Sequence, residues 1–256
     1  MHRVAAINDI HANLRALDAV LAEIRAATVD HIVVGGDVVP GPMPRETLAR
    51  LLDLEVPVSF IQGNGEAAVF QERVGIYQEP LPAHARAVVR WTGHAITGAE
   101  ASVMASWPML LTLAVDGIGD VLFCHGTPRH HNEIFLATTS EESLRPLFDP
   151  LHVPLVVCGH SHMAFDRYVG PTRVVNAGSV GLPFGTPGAD WLLLGPDVQL
   201  RHTTYDLAAA AAEVRSSPYP DADGFGKQIL EPPSQESIVA AFAKAELRYG
   251  QAMHTA

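Results

Sequence analysis

The chain is short of positive charge and of cysteine, and it has no long apolar run. Its 256 residues carry 17 lysines and arginines against 28 aspartates and glutamates, a formal net charge of −11. Nucleic acids and anionic membranes are held mostly by Lys and Arg, so this balance argues against either as a partner. Only two cysteines occur, Cys124 and Cys158, each inside an apolar run and with no Cys-x-x-Cys pairing. They read as small buried hydrophobes in a reducing compartment. No apolar stretch approaches the roughly 18–20 residues of a membrane helix. The opening segment MHRVAAIND lacks the apolar core of a signal peptide. A cytoplasmic protein with no membrane partner is expected.

What is present is a core-forming chain, 48% hydrophobic, and long enough for one large domain. Short β-branched runs alternate with helical patterns through the first third. VAAIN (4–8), HIVVGGD (31–37) and VSFIQGN (58–64) read as strands. Between them lie a helix with Leu14, Leu17, Leu21 and Ile24 on one face, and a second over 45–54. Strand–helix–strand order predicts right-handed crossovers and a largely parallel sheet. From about 65 to 110 the pattern is helical only, expected as a cap insertion. Strands then return at 111–115, 121–127, 155–161, 172–180, 191–195 and 198–206, with turns that suggest hairpins and a second, mixed sheet. A C-terminal region from about 207 to 256 follows. Its stretch SSPYPDADGFGKQILEPPSQ is expected to run extended, before a last helix with Ile238, Ala241, Phe242 and Ala245 on one side.

The chemistry-bearing residues collect at the strand ends. Asp9 and His11 follow the first strand in NDIHAN, and Asp37 ends the second in VVGGD. Asn64 ends the third in IQGN, His125 a later one in LFCHGTP, and His160 and His162 another in VVCGHSH. An open α/β sheet places its ligand site at those ends. Each block alone is weak, since a strand-end Asp is often a turn or helix cap. Five blocks in order, carrying seven metal-capable side chains, are not.

The series Asp-x-His, Gly-Asp, Gly-Asn, His and Gly-His-x-His resembles the calcineurin-like metallophosphoesterase superfamily from Asp9 to about Gly181. NAGSVGLP resembles a glycine-rich segment of its small bacterial phosphodiesterase-like branch. The resemblance implies an α/β fold, a four-layer α-β-β-α sandwich of two mixed sheets, as one domain over 1–256. It also implies two divalent metal ions. Asp9, His11, Asp37 and His162 would hold the first; Asp37, Asn64, His125 and His160 would hold the second, with Asp37 bridging. Mixed oxygen and nitrogen ligation suits Mn, Fe, Ni or Zn. Paired dications can clamp a phosphoryl group and activate a water as hydroxide.

The chain departs from that pattern in three places. Many members follow the Asn with a His that serves the leaving group; here Gly65 and then Glu66 stand, and Glu66 reads as a helix-start residue. Substitutes for the acid are His130 and His131 in GTPRHHNE, where Arg129 could pair with a phosphate oxygen. GDVVPGP lacks the Asp-Arg-Gly continuation of the Ser/Thr protein phosphatases, and Ala12 replaces the glycine common after Asp-x-His. Arg86 and Arg90 lie one helical turn apart in the expected cap and read as a solvated face.

The expected function is metal-dependent phosphoester hydrolysis by metal-activated hydroxide, with phosphodiesters favoured, Asn64 stabilising developing charge, and a small phosphorylated substrate as partner. The alternatives are a phosphomonoesterase acting on nucleotides or phosphoproteins, and a non-catalytic scaffold like the retromer subunit of that fold. A nuclease sits badly with the acidic charge. A homo-oligomer stays open.

Overall fold

Strands Val4–Ile7 (β1) and His31–Val34 (β2) are buried along their whole length, which suits central parallel strands covered on both faces. The computed structural model describes residues 1–76 and 81–247. Helix Leu14–Ala27 (α1) makes the crossover from β1 to β2. The Asn13 side chain caps it by accepting from the Ala16 N–H at 3.2 Å. Helix Pro44–Leu52 (α2) leads to Val58–Phe60 (β3), which pairs parallel to β2. Residues after β3 form Asn64–Val74 (α3), Ala83–Ala95 (α4) and Gly98–Ala105 (α5).

The second sheet begins with the hairpin Leu110–Val115 (β4) and Gly119–Cys124 (β5). Helix Glu141–Phe148 (α6), Leu155–Cys158 (β6), Phe165–Val169 (β7) and Thr172–Asn176 (β8) follow, in spatial order β4-β5-β6-β8-β7. Strands Ala189–Leu194 (β9) and Val198–Thr203 (β10) return to the first sheet. β9 lies antiparallel beside β1, giving β10-β9-β1-β2-β3. Both sheets are mixed, as expected.

Period-two alternation sorts the side chains into layers. Val4, Ala6 and Val33 face inward and meet Val121, Phe123, Val157 and Val175 of the second sheet. Ala5, Ile7, Ile32 and Val34 face outward onto Leu17, Val20, Leu21 and Ile24 of α1 and Leu48 and Leu51 of α2. On the far side, Leu144, Leu147 and Phe148 of α6 cover Leu122, Val156 and Val174. Each such large aliphatic contributes about 1.5–3 kcal/mol by leaving water. The result is the α-β-β-α sandwich. Among the described residues no helix is long and apolar enough to cross a membrane.

Several elements differ from expectation: β9 and β10, read as strands of the second sheet, lie in the first, because β9 pairs antiparallel with β1. β7 was not anticipated from the pattern; it is an edge strand whose Asp166 and Tyr168 are exposed. The stretch expected to run extended folds at its centre into Ala222–Leu230 (α8). That helix packs Phe225 and Ile229, with Tyr219, on Ala210, Ala211 and Val214 of the preceding helix Leu207–Ser216 (α7). The final helix, Gln235–Phe242 (α9), has no buried residue; Ile238 and Phe242 are half-buried and Ala241 is exposed.

Candidate metal centre

The strands stop short of the candidate ligands, which lie in the turns beyond them. Asp9 is two residues past β1, Asp37 three past β2, His125 one past β5 and His160 two past β6; Asn64 opens α3. Five of the seven have left-handed backbone: Asp9 (φ 53°), His11 (47°), Asp37 (54°), His160 (66°) and His162 (55°). For non-glycine residues this conformation is uncommon and costly, and such strain collects at functional sites. The turns brace one another. The His11 N–H donates to Asp37 O at 2.9 Å and the Asp9 N–H to Gly36 O at 3.0 Å. From the NAGSVGLP segment, the Ser179 hydroxyl and the Gly181 N–H both donate to Asp9 O, at 2.7 and 2.9 Å.

All seven side chains come together. His11 and His162 meet Nε2 to Nε2 at 3.0 Å. Asp9 Oδ1 lies 3.3 Å from His162 Nε2 and 3.8 Å from His125 Nε2. Asp37 turns one oxygen to each side, Oδ2 at 3.7 Å from His11 Nε2 and Oδ1 at 3.4 Å from His125 Nε2. Asn64 Oδ1 sits 2.9 Å from His125 Nε2. The His160 ring lies 5.1 Å from that of His125, and the His160 N–H donates to Asp9 Oδ2 at 2.8 Å. Asp9, His11 and His162 form one group with metal-binding spacing, and Asp9, Asp37 and His125 another. Asp9 thus stands between the groups through one oxygen. Asp37 reaches both with two, Oδ2 toward His11 and Oδ1 toward His125.

Tautomers decide what these contacts mean. His11 Nδ1 faces Pro40 O at 3.2 Å, His162 Nδ1 faces Leu182 O at 2.9 Å and His125 Nδ1 faces Gly35 O at 2.8 Å. A carbonyl only accepts, so each Nδ1 carries the proton and, in the neutral ring, each Nε2 presents a lone pair to the cluster. Lone pairs then oppose lone pairs, at His11–His162 and at His125–Asn64. Asp9 Oδ1 and His160 Nε2 are also buried without a hydrogen-bond partner. Such an array is unfavourable until a cation or protons enter it, and its oxygen and imidazole donors fit divalent ions.

The protonation pattern has the same cause. Burial, and then His162, push His11 down to about 3; burial, and then His125, push His160 to about 3. His125 and His162 lie above their ordinary value: burial opposes their charge, but Asp37 and Asp9 outweigh it. Burial would raise Asp9, yet the surrounding histidines hold it well below the carboxylate range. Burial lifts Asp37 to about 6 and Glu66 to about 7.

The family model of the calcineurin-like phosphoesterase superfamily domain matches residues 2–195. The chain belongs to that superfamily. An uncharacterized protein of Methanocaldococcus jannaschii, MJ0912, is 26% identical over 196 residues, covering 70% of this chain and 76% of the relative. A metallophosphoesterase from Sphaerobacter thermophilus superposes with TM-score 0.71 at 25% identity, over 90% of this chain and 99% of that one. The hypothetical protein PH1004 of Pyrococcus horikoshii OT3 superposes with TM-score 0.79 over 91% of this chain and 100% of that one; at 18% identity the likeness is one of fold.

Gly65 stands where the resemblance leads to an expected His, and the structure supplies a reason. A Cβ there would lie 2.1 Å from Val39 O and 2.9 Å from Asp37 Oδ1. The Gly65 N–H itself donates to Asp37 Oδ1 at 2.6 Å. The loop 127–133 reaches the cluster through Asn132, whose backbone is hydrogen-bonded to the His160 ring. Within it, Arg129 is engaged elsewhere: it forms a two-pronged pair with buried Glu133, Nε to Oε2 at 2.8 Å. His130 Nδ1 accepts from the Asn132 N–H at 3.1 Å, so its neutral ring keeps the proton on Nε2. The His131 ring packs on that of His130, centroids 4.9 Å apart. Arg86 and Arg90 both pair with Glu72 of α3, at 3.6 and 3.1 Å.

Glu66 is the helix-start residue the sequence suggests, but its wider role, and Phe184, escape sequence inspection. Glu66 is buried and binds backbone on both neighbouring turns; its only sequence signal is its place three residues after Gly63, as in a capping box. Phe184 stacks on the His162 ring at 5.3 Å and meets Phe242 of α9 edge-on at 6.4 Å. The C-terminal segment therefore folds back beside the site.

Proposed function

We propose that this calcineurin-like phosphoesterase hydrolyses small phosphate esters at a centre holding two divalent ions, with phosphodiesters preferred. The carrying observation is the opposed Nε2 pair of His11 and His162 beside the unpartnered Asp9 Oδ1 and His160 Nε2. Asp9, His11, Asp37 and His162 would hold one ion; Asp37, Asn64, His125 and His160 would hold the other. Such ions supply Lewis-acid polarisation of the phosphoryl group and activate a water for in-line attack. Asn64 presents a neutral oxygen and amide at the same point, where charge develops. His130, as its imidazolium, would protonate the leaving group and return to the neutral ring.

Charge supports the diester preference. Arg129, Arg86 and Arg90 are each already paired with a glutamate, which leaves little cationic help for a dianionic monoester; a monoanionic diester needs less. The net charge of −11 supports a small substrate over nucleic acid. The two buried thiols, Cys124 and Cys158, support a reducing cytoplasm.

Protein reconstituted with Mn²⁺ should hydrolyse bis(p-nitrophenyl) phosphate faster than p-nitrophenyl phosphate. Asp37→Asn should cost roughly 100-fold or more in kcat. Failure on both substrates, or an unchanged rate in Asp37→Asn, would overturn the proposal; a faster monoester would overturn the preference.

A further inference from the structure

One buried carboxylate joins the two turns that carry Asp37 and Asn64. Glu66 is 2% exposed. Its Oε2 accepts from the Asp37 N–H at 2.9 Å and the Gly63 N–H at 2.8 Å, and its Oε1 from the Val39 N–H at 3.1 Å. Asp37 and Val39 belong to the turn after β2. Gly63 ends the turn after β3, directly before Asn64. A buried carboxylate is costly unless its lone pairs are used, and three backbone donors use them here. The bonds lock the distance between the two turns, and Gly65, between Asn64 and Glu66, adds its N–H to Asp37 Oδ1 at 2.6 Å.

The other group of candidate ligands has its own braces. Asp9 O is held by Ser179 and Gly181 and the His162 ring by Leu182 O, all outside the two turns that Glu66 joins; only the His11 ring, on Pro40 O, leans on the turn after β2. We infer that Glu66 is a positioning residue acting mainly on the second ion, setting Asp37 against Asn64; the first ion shares Asp37 but keeps Asp9 and His162 on braces that Glu66 does not touch. The inference rests on the two-ion reading of the site.

The test is Mn²⁺ titration calorimetry on the full chain, for wild type, Glu66→Gln and Asn64→Ala. A Gln amide turns an N–H₂ toward at least one of the three backbone donors, so a bond becomes a repulsion while volume is conserved. Glu66→Gln should keep one ion at nearly wild-type affinity and bind the other roughly 10–100-fold more weakly, as Asn64→Ala should. The electron paramagnetic resonance signal of a coupled Mn²⁺ pair should fade at ion concentrations that saturate the wild type. Glu66→Asp, one methylene shorter, carries the same measurement should the Gln variant fail to fold. If wild type binds two ions and both Glu66 variants bind two with unchanged affinity, or lose both equally, the role of Glu66 is overturned and the two-ion reading stands. If wild type binds fewer than two ions, that reading falls first and the inference with it.

Discussion

His11 and His162 point Nε2 at Nε2 across 3.0 Å, and both Nδ1 atoms are already committed to backbone carbonyls. Neither ring can donate to the other while neutral. Divalent ions should therefore stabilise the fold strongly. At free Mn²⁺ about 100-fold above Kd the gain is about 2.7 kcal/mol per ion, roughly 5–10 °C in Tm for a chain of this size. Scanning fluorimetry with and without chelator measures it. His162→Ala should remove about half of the metal shift, the share of the ion it would hold, and leave the chelated protein's Tm nearly unchanged. An unshifted wild type would contradict the lone-pair account.

Gly65 stands where many members of the family carry a histidine, so restoring His is an obvious attempt at improvement. It should fail. The Cβ would press on Val39 O and Asp37 Oδ1, and overpacking of this kind costs about 1–3 kcal/mol. Gly65→His is expected to lower both Tm and kcat, the latter by roughly tenfold for each 1.4 kcal/mol that Asp37 loses in placement. A higher kcat would show that the turn yields.

If His130 is the acid, its removal should matter only where the leaving group needs a proton. His130→Ala should slow an alkyl phosphodiester by about 100-fold and leave a p-nitrophenyl ester within roughly threefold. Equal losses on both substrates would assign His130 to something other than proton transfer.

Ala12 has φ 51° and is fully buried. Ala12→Gly relieves the left-handed penalty of about 1–2 kcal/mol. It forfeits burial of one methyl, about 0.8 kcal/mol, and adds about 0.4–1 kcal/mol of unfolded-state entropy. The terms nearly cancel, so urea denaturation should find a change under about 1 kcal/mol. Ala12→Val should be strongly destabilising, because a β-branched side chain tolerates that backbone poorly.

The sandwich was legible because its signals are local. β1 and β2 are unbroken apolar runs, and α1 repeats Leu17, Leu21 and Ile24 on one face. The metal-capable residues were legible as types at strand ends, and the fold brings them together. What escaped depends on packing. α8 is hidden by Gly224, Gly226 and Asp223; Gly226 permits close approach to α7, where an added Cβ would already lie 3.2 Å from Ala211 O. β7 has too few buried positions to stand out. Arg129 read as a free cation because its partner, Glu133, declares itself only through i,i+4 geometry in a loop. Two of the three bonds of Glu66 cross 27 and 29 residues of sequence and follow no short-range pattern; only the third, from Gly63, is local.

The left-handed turns have a further consequence for how such a site can change. Asp, Asn and His are the non-glycine residues that enter this backbone region most readily, and they are also residues that bind metals. At positions 9, 11, 37, 160 and 162 the chain's own shape therefore screens substitutions before any metal does. Exchanges among Asp, Asn and His pass the screen and would retune the ion held. Branched aliphatic replacements fail on the backbone alone. A lineage drifting at these positions would sooner alter its metal than lose its ligands.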